Sequence, residues 1–418
     1  MAVLVVLPKP ISPLDSDNDK FFYMILLRAY ATIWDFVNSI LGTKISSVPP
    51  NTYGFMMAMA FIVGIFLARN ELARKTKLGI FPKAGKEIMV GQGINLTDVL
   101  LYALFGFVLG LKIFGYFQDP ALFKANAQAF ILSMQGSIPG GLLFALLFGG
   151  YTAYDQWKAK KDIPEKKIVS NNIEDRIGDV LIIAMIGGVL GSKLLDAIDN
   201  PTSMAEFLTN PIASLTSGLS ILGGLFTVSI LLIGYALKNN IKVLPFVDSL
   251  SPPFFLSYAI GRLGCQFSGD GCWGIPTTGL TKPTFLPDFL WGSTYDHNVN
   301  RDGVLIPGCD EAYCMKLAEP HLPTPLYETI FVSILFLILW SLRKRLTIHP
   351  GAITGLFLVF NGMERFLIEF VRINNKYNYF GFELSQAQYM SIFMILIGAG
   401  LTIWAMRKKE EISATITS

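Results

Sequence analysis

Residues Gly355 to Arg372 read GLFLVFNGMERFLIEFVR, a stretch apolar enough to enter a membrane that nevertheless carries Arg365 within it. A second arginine, Arg262, lies in the run GRLGCQFSGDGCWG, from Gly261 to Gly274, which follows another apolar stretch. A charge at mid-membrane costs roughly 2.5–3.5 kcal/mol even on lenient insertion scales, so such arginines are expected to face a polar cavity. The two segments therefore predict a membrane protein that acts on an anionic molecule.

The composition agrees with a membrane protein. Of the 418 residues, 52% are hydrophobic and only 16% are charged, which leaves too little polar surface for a soluble domain of this length. Nothing in the sequence indicates a nucleic-acid partner. The N-terminus MAVLVVLPKP has no basic region before its short apolar run, so we expect no cleaved signal peptide.

Nine stretches are long and apolar enough to cross roughly 30 Å of hydrocarbon, at about 20 residues per helix. They cover residues 53–70, 97–117, 128–151, 178–198, 212–237, 246–266, 325–342, 351–371 and 386–406. We therefore predict an all-α, polytopic integral membrane protein with about nine transmembrane helices, occupying residues 52–410. An earlier segment, Phe21 to Gly42, contains Arg28 and Asp35 and is predicted to be an amphipathic interfacial helix. It would lie in an N-terminal arm, residues 1–51.

Lysine and arginine are unevenly distributed between the loops. The loops after the first, third, fifth, seventh and ninth stretches are rich in basic residues, whereas the alternate loops, including the long loop 267–324, have few. Short basic loops stay in the cytoplasm. The pattern predicts an extracytoplasmic N-terminus, a cytoplasmic C-terminus and an extracytoplasmic loop 267–324.

The chain contains an internal repeat. DVLLYALFGFVLGLK (Asp98 to Lys112) matches DVLIIAMIGGVLGSK (Asp179 to Lys193), and SIPGGLLF (Ser137 to Phe144) matches SILGGLF (Ser220 to Phe226). Each copy would form a two-helix hairpin, so the repeat predicts a duplication. The alternative is a chance match, because glycine is frequent in membrane helices.

All four cysteines lie at or beyond the end of the sixth stretch: Cys265, Cys272, Cys309 and Cys314. If that side is oxidising, one or two disulfides across the long loop are expected, and the sequence does not choose among the three pairings. A zinc site built from all four thiolates is the alternative, although no C-x2-C spacing is present.

Five segments match the motifs of one known family, in the same order. They are TYGFMMAMAFIVGIFLARNELAR (Thr52 to Arg74), GRLGCQFSGDGCWG, HLPTPLYE (His321 to Glu328), NGMERFLIEFVR (Asn361 to Arg372) and LSQAQYMSIFMILIGAG (Leu384 to Gly400). These segments resemble the bacterial prolipoprotein diacylglyceryl transferases, whose motifs read roughly GRxGNFxNGExxG, HPSQLYE, YGxxRFxxEFxR and LSMGQxLSxPMxxxG, with a first span that opens on YG.

The resemblance implies a function. It implies transfer of a diacylglyceryl group from phosphatidylglycerol to the lipobox cysteine thiol of prolipoproteins, the first step of bacterial lipoprotein maturation, with release of glycerol phosphate. The implied location is the bacterial inner (plasma) membrane. The implied partners are phosphatidylglycerol, prolipoprotein signal peptides and membrane lipid, with no metal or organic cofactor.

The family has seven spans, so one hairpin of this chain is additional. The second copy contains SGLSILGGLF (Ser217 to Phe226), which resembles the family's GGMSFHGGLxG. Residues 97–154, the first copy, are therefore the expected insertion.

The chain also departs from the family pattern. Leu222 stands where the family has histidine, Cys265 where it has asparagine, and Asp270 where it has glutamate. A thiol with a pKa near 8.5 needs a base or a positive field to attack at neutral pH. Asp270 and His321 are the expected bases, or the two arginines lower the pKa of the thiol without a dedicated base.

The arginines themselves indicate a lipid-phosphate site. A guanidinium matches phosphate oxygens bidentately, whereas lysine offers a point charge. On one helix, Arg365, Glu369 and Arg372 would share a face. The alternative is an ion pair that only locks helix packing. We predict catalytic roles for Arg262, Arg365, Asp270 and His321. We predict substrate binding by Tyr53, Gly261, Gly264, Gly269, Tyr327, Glu328, Glu369 and Arg372.

Two other functions are compatible with these observations. Leu222 and Cys265 would suit a catalytically inactive lipid- or lipoprotein-binding paralogue. Duplicated hairpins and intramembrane charges also occur in transporters, so a small transporter is the second alternative. Against a transporter, the repeat is parallel and does not include the helices that carry the arginines.

Overall fold

The computed structural model describes residues 28–43, 51–90, 93–120, 130, 133, 135–160, 165–200, 209, 221–309, 313–374, 376–379 and 381–408. The chain divides into two units, Met1–Leu72 with Lys242–Ser418, and Ala73–Ile241. The first unit contains Arg262 and Arg365, and the second contains both copies of the repeat.

Helices account for most of the described residues. They are α1 (Ile33–Leu41), α2 (Thr52–Lys77), α3 (Leu96–Gln118), α4 (Ile138–Lys158), α5 (Ile177–Asp199), α6 (Ile221–Lys238), α7 (Val243–Ser268), α8 (Thr324–Leu342), α9 (Ala352–Ile368) and α10 (Gln386–Arg407). Short 3-10 turns cover Ile173–Arg176, Asp288–Leu290, Arg345–Ile348 and Glu369–Val371. Three antiparallel ribbons pair β1 (Gly85–Val90) with β2 (Glu165–Ser170), β3 (Val304–Leu305) with β4 (Met315–Lys316), and β5 (Lys376–Tyr379) with β6 (Phe382–Ser385).

Each predicted apolar stretch overlaps one of the helices α2 to α10, so the predicted polytopic helical fold is confirmed. Six helical segments have the length and hydropathy of a membrane span: Thr52–Lys77, Leu96–Gln118, Ile173–Ile198, Val243–Ser268, Thr324–Leu342 and Gln386–Arg407. A shorter apolar helix covers Gly223–Lys238. The count of nine spans stays a prediction.

The burial pattern is that of a protein in lipid. Apolar residues on the helices are exposed, for example Leu146 at 74%. The charged residues Glu328 and Glu364 are only 1% and 2% exposed. Water would favour the opposite arrangement, because burying a charge is costly and burying leucine is favourable. The exposed apolar surface therefore faces lipid, and the charges form an interior layer.

In the second unit, the two helices of each hairpin cross at glycines that occupy equivalent positions in the two copies. A Cβ atom on Gly110 of α3 would lie 2.3 Å from the carbonyl oxygen of Gly140, and one on Gly191 of α5 would lie 2.6 Å from that of Gly223. Only glycine permits this backbone approach. The repeat predicts this equivalence, because Gly110 aligns with Gly191 and Gly140 aligns with Gly223.

The first hairpin leaves and rejoins the chain at a β-ribbon. Strand β1 ends at Val90 and β2 begins at Glu165, and these two residues are paired partners. The segment between them, residues 91–164, contains α3 and α4. Its two ends are therefore adjacent, which is the arrangement an inserted hairpin requires. That residues 97–154 are the insertion stays a prediction.

The core of the first unit lies between α7 and α8. It contains Phe255 and Ala259 of α7 together with Val332, Leu335, Phe336 and Leu339 of α8. The carboxylate of Asp248, on α7, accepts hydrogen bonds from the backbone N–H groups of Gly351 (2.7 Å) and Thr354 (2.8 Å). It therefore caps the N-terminus of α9, which carries Arg365.

The long loop between α7 and α8 is folded. The amide of Asn298 donates to the carbonyls of Asp302 and Met315 (both 3.1 Å) and accepts from the N–H of Asp302 (2.9 Å). A disulfide joins Cys309 to Cys314, whereas Cys265 and Cys272 are free thiols. One expected disulfide is present, and the alternative of a four-thiolate zinc site is wrong because two of its thiols are bonded to each other.

The predicted interfacial helix is only partly covered by the described residues. Helix α1 covers Ile33–Leu41, while Phe21 and the residues up to 27 lie outside the described part of the chain. Thr32 and Asp35 form a capping box at the N-terminus of this helix, so Asp35 has a structural role there. The placement of the arm on a membrane surface stays a prediction.

Candidate active site

Helix α7 carries Arg262 on the turn after Tyr258, and both side chains reach Glu328 at the start of α8. Arg262 Nη2 donates to Glu328 Oε1 (2.8 Å), and the Tyr258 hydroxyl donates to Oε2 (2.7 Å). Arg262 Nε lies 2.5 Å from Oε2 as a charge contact without hydrogen-bond alignment. Glu328, whose side chain has no exposed surface, is thus the counter-charge of Arg262.

A second guanidinium shares the same carboxylate. Arg372 Nη1 donates to Glu328 Oε1 (3.1 Å). The expectation that Arg372 shares a helical face with Arg365 is wrong, because α9 ends at Ile368 and Arg372 is extended, with φ −97° and ψ 156°. The extended backbone of Arg372 pairs with Gly274, where a Cβ would lie 2.5 Å from the carbonyl of Val371. The end of the α9 motif is thereby turned toward α8.

Arg365 and Glu369 form the predicted pair one turn apart. Arg365 Nη2 lies 3.3 Å from Glu369 Oε2, and the Asn374 amide donates to Glu369 Oε1 (2.6 Å). The Arg365 side chain is 31% exposed, whereas that of Glu369 is 2% exposed. Arg365 is therefore the most accessible of the three arginines in this group.

Three buried atoms of this layer have no aligned hydrogen bond within the described residues: Arg262 Nε, Glu364 Oε1 and Glu369 Oε2. Glu364 also interacts electrostatically with Glu328 and with all three arginines. Leaving a buried polar atom unsatisfied costs about 1–3 kcal/mol. Each such buried atom requires an explanation, and a bound ligand is one. We call Arg262, Glu328, Glu364, Arg365, Glu369 and Arg372 the arginine layer.

Two glycines turn the chain back over the end of α7. Gly269 (φ 63°) ends the helix, and Gly271 (φ 91°) follows Asp270. A Cβ on Gly269 would lie 2.8 Å from that of Asn298. The turn brings Cys272 back to Cys265: their sulfur atoms and a carboxylate oxygen of Asp270 all lie within 4.8 Å of one another.

The thiol pair adjoins the arginine layer through Arg262, whose Nη1 lies 3.7 Å from Cys265 Sγ. The hydrogen bond with the Cys265 thiol lowers the pKa of Cys272 from 9.0 to about 7, although burial acts in the opposite direction. Nearby, burial raises the pKa of Tyr295 well above 10.0. Tyr295 therefore stays neutral, and its hydroxyl donates to Gln266 Oε1 (2.9 Å).

Other predicted site residues have structural contacts. The Tyr327 hydroxyl donates to the carbonyl of Leu290. His321 Nδ1 bonds with the carbonyl oxygen of Glu319 (2.9 Å), and its ring meets the Trp273 ring edge-on at 6.4 Å. In the described part of the chain, no side-chain contact joins His321 to the arginine layer. The structure therefore favours Asp270 over His321 as the residue near the thiols.

Tyr53 and the two glycines of α7 lie at the contact between α2 and α7. A Cβ on Gly264 would meet Met56 Cβ at 3.0 Å and the Tyr53 ring at 3.4 Å, and one on Gly261 would meet the sulfur of Met57 at 3.6 Å. Close helix packing explains Gly264. Tyr53 is 41% exposed, which leaves its ring available to a ligand.

Tyr258 was not among the predicted site residues. It lies four residues before Arg262, so the two side chains share a face of α7, and that spacing was the available signal. Its partner on α8 could not be identified from the sequence, because helix pairing was unknown.

The arrangement suits an anionic lipid phosphate next to a thiol. The arginine layer has three guanidinium groups, of which two share one carboxylate, and Arg262 also contacts the free thiol pair. Guanidinium groups in a dry site bind phosphate oxygens and stabilise charge that develops on a leaving phosphate.

Comparison with known proteins agrees with this chemistry. The sequence model of the family described as prolipoprotein diacylglyceryl transferase matches residues 141–404. The phosphatidylglycerol–prolipoprotein diacylglyceryl transferase of Clostridium tetani is 31% identical over 228 residues, which are 54% of this chain and 79% of the relative. Those of Streptococcus agalactiae (28% over 253 residues, 60% and 86%) and Aeromonas hydrophila (28% over 278 residues, 65% and 87%) are also similar. Since the family match covers both arginine motifs and more than half of the chain, this membrane protein belongs to the prolipoprotein diacylglyceryl transferase family.

Proposed function

We propose that this chain transfers a diacylglyceryl group from phosphatidylglycerol to the lipobox cysteine thiol of prolipoproteins. The observation that carries the proposal is the grouping of three guanidinium groups in one layer, where Arg262 and Arg372 share buried Glu328 and the side chain of Arg365 is 31% exposed. A phosphodiester offers the planar oxygen pairs that guanidinium groups bind. The names of the relatives support the same pair of substrates.

Arg365 and Arg262 have different roles in the proposed reaction because their contacts differ. Arg365, with its side chain 31% exposed, binds the phosphate directly. Arg262 already directs Nε and Nη2 at Glu328, so it acts mainly through its charge and Nη1. As the bond between glycerol carbon and phosphate oxygen breaks, negative charge grows on the leaving glycerol phosphate. Fixed guanidinium groups in a dry site stabilise that charge more than water does.

The distribution of basic residues among the loops indicates the orientation of the chain in the membrane and the side on which the precursor binds. We propose that the N-terminus is extracytoplasmic and the C-terminus cytoplasmic, because basic residues concentrate in alternate loops. The loop after α7 then lies on the extracytoplasmic side, where the signal peptide of the precursor would present its cysteine. The exposed ring of Tyr53 and the turn at Gly269 are proposed contacts of the substrates.

The test uses purified full-length chain in detergent micelles with phosphatidylglycerol and a lipobox peptide. We expect a peptide heavier by one diacylglyceryl group in mass spectrometry, and no product when the peptide cysteine is replaced by serine. Phosphatidylethanolamine in place of phosphatidylglycerol serves as the lipid control. A folded sample that binds phosphatidylglycerol but forms no product would contradict the proposal and support the lipid-binding alternative.

A further inference from the structure

The proposed transfer requires a group that deprotonates the attacking thiol, and the contacts of the arginine layer do not identify one. In the arginine layer, Glu328 and Glu369 are engaged by arginines, whereas Glu364 Oε1 has no aligned hydrogen bond among the described residues. His321 Nδ1 is bonded to a backbone carbonyl. Beside Arg262, by contrast, lie two free thiols and one carboxylate whose ligand atoms are within 4.8 Å of one another.

We propose that Cys265, Asp270 and Cys272 bind a thiophilic divalent cation such as Zn²⁺, and that the lipobox thiol occupies its fourth position. This inference rests on the proposed function for the identity of the fourth ligand only. Three protein ligands with one open position are the usual arrangement of catalytic zinc. Thiolate and carboxylate are both established zinc ligands, and thiolates favour zinc over magnesium or calcium.

The dimensions suit such an ion. Zinc–sulfur bonds of about 2.3 Å in a tetrahedral site place two ligand atoms about 3.8 Å apart. The present limit of 4.8 Å exceeds this separation by only about 1 Å. The turn at Gly269 and Gly271 already directs Asp270 and Cys272 to the end of α7.

The ligand set is anionic. Two thiolates and one carboxylate carry three negative charges, against two positive charges of the ion, and a bound lipobox thiolate adds a fourth. Arg262, which also pairs with Glu328, places its guanidinium beside this negative charge, with Nη1 3.7 Å from Cys265 Sγ. Partners outside the ligand shell that donate to ligand atoms orient them and tune the ion. Arg262 would thus join the metal to the phosphate site.

In the proposed step, the lipobox thiol reacts as a metal-bound thiolate. The peptide thiol displaces a water molecule from the ion and binds as thiolate, and its proton leaves with that water. The sulfur lone pair then attacks the glycerol carbon that bears the phosphate. The C–S bond forms, the C–O bond breaks, and its electron pair goes to the phosphate oxygen of glycerol phosphate. No oxidant or reductant takes part. A metal deprotonates a bound thiol without any protein base.

The first experiment measures metal binding without activity. The full-length protein, reduced and stripped with a chelator in micelles, is titrated with Cd²⁺ or Co²⁺ while the thiolate-to-metal absorption band is recorded. The background is the C309S/C314S double variant, which removes the other two cysteines from consideration. We expect one equivalent to bind, Cys272→Ser to abolish the band, and Asp270→Asn to weaken binding more than the roughly 10–100-fold that loss of an outer partner costs.

The second experiment tests the fourth ligand. Adding a lipobox peptide to the Co²⁺-loaded protein should change its visible spectrum, whereas the same peptide with serine for cysteine should not. Gel filtration and thermal denaturation of Cys272→Ser check that the variant is folded. Absence of a thiolate band in folded protein, or a band that survives Cys272→Ser, would overturn the metal site. So would a Cys265–Cys272 disulfide in protein purified without reductant.

Activity separates this inference from the proposed function. If chelated protein transfers lipid at the rate of zinc-loaded protein, the function stands and the metal inference fails. If neither preparation transfers lipid, the proposed function fails, and the absorption titration alone decides whether the three residues bind metal. Zinc-dependent transfer that is lost in Cys272→Ser would support both.

Discussion

Replacing Glu328 with glutamine should destabilise the protein by removing the carboxylate that Arg262 and Arg372 share. The carboxylate accepts from Arg262 (2.8 Å), Arg372 (3.1 Å) and Tyr258 (2.7 Å). Removing one partner of a buried ion pair costs about 3–5 kcal/mol. Glutamine keeps one acceptor oxygen but brings an N–H₂ group toward the arginine donors, so we expect the upper part of this range.

The free energy of unfolding of Glu328→Gln and its controls can be measured by titration with SDS in mixed micelles. A sharper test adds Arg372→Gln, which removes one of the two guanidinium groups that share this carboxylate. Alone, Arg372→Gln should destabilise the protein; in the Glu328→Gln background it should stabilise it. Coupling between neighbours of this kind is typically 0.5–3 kcal/mol.

A matched control is the ion pair of Glu71 with Arg343, in which Nε donates to Oε2 at 3.2 Å. Arg343 also lies over the Trp340 ring, 3.6 Å from its centroid, and keeps that contact in Glu71→Gln. This substitution should therefore cost less than Glu328→Gln. The reasoning would be refuted if Glu328→Gln cost below about 1 kcal/mol, or if Arg372→Gln were destabilising by the same amount in both backgrounds.

Three further results are expected. Arg365→Lys should lower the transfer rate at least about 10²-fold, because lysine cannot replace a bidentate phosphate contact in a dry site; near-normal transfer would show that Arg365 does not hold the phosphate. His321→Gln should lower the transfer rate by much less than the roughly 10²-fold that removing a general base causes, and the dependence of the rate on pH from 6 to 9 should not change. A decrease of about 10²-fold or more would support His321 as the base. Excision of residues 91–164, joined by an Asn-Gly turn suited to a β-hairpin, should leave lipid transfer intact, and its loss in a folded sample would contradict the insertion.

Part of the fold was predictable because hydrophobicity is local. A run of about 20 apolar residues crosses a membrane whatever its neighbours are, so all nine predicted stretches contain helices. Exact ends were less predictable. Helix α9 ends at Ile368, three residues before the predicted limit, because the following residues form a 3-10 turn and pair with the segment at Gly274.

The candidate site was predictable in its members and only partly in its arrangement. Arg262 and Arg365 stand out in apolar sequence because a charge is costly there. That Arg262 contacts Glu328 rather than a free cavity depends on how α7 packs against α8. Tyr258 was missed for the same reason. The bond of His321 to a backbone carbonyl was not visible in sequence, and its role as a base stays a prediction.

The cysteines illustrate the difference between what the sequence predicts and what only the tertiary structure shows. By itself, the sequence determined a helical membrane protein, the two arginine motifs and the resemblance to one family, because each of these depends on residue type and spacing along the chain. Only the tertiary structure decided that Cys309 bonds to Cys314, that Cys265 and Cys272 meet beside Arg262, and that two arginines share Glu328. Those contacts join residues from different helices and loops, and their distances follow from packing and from turns such as that at Gly269, which no local pattern specifies.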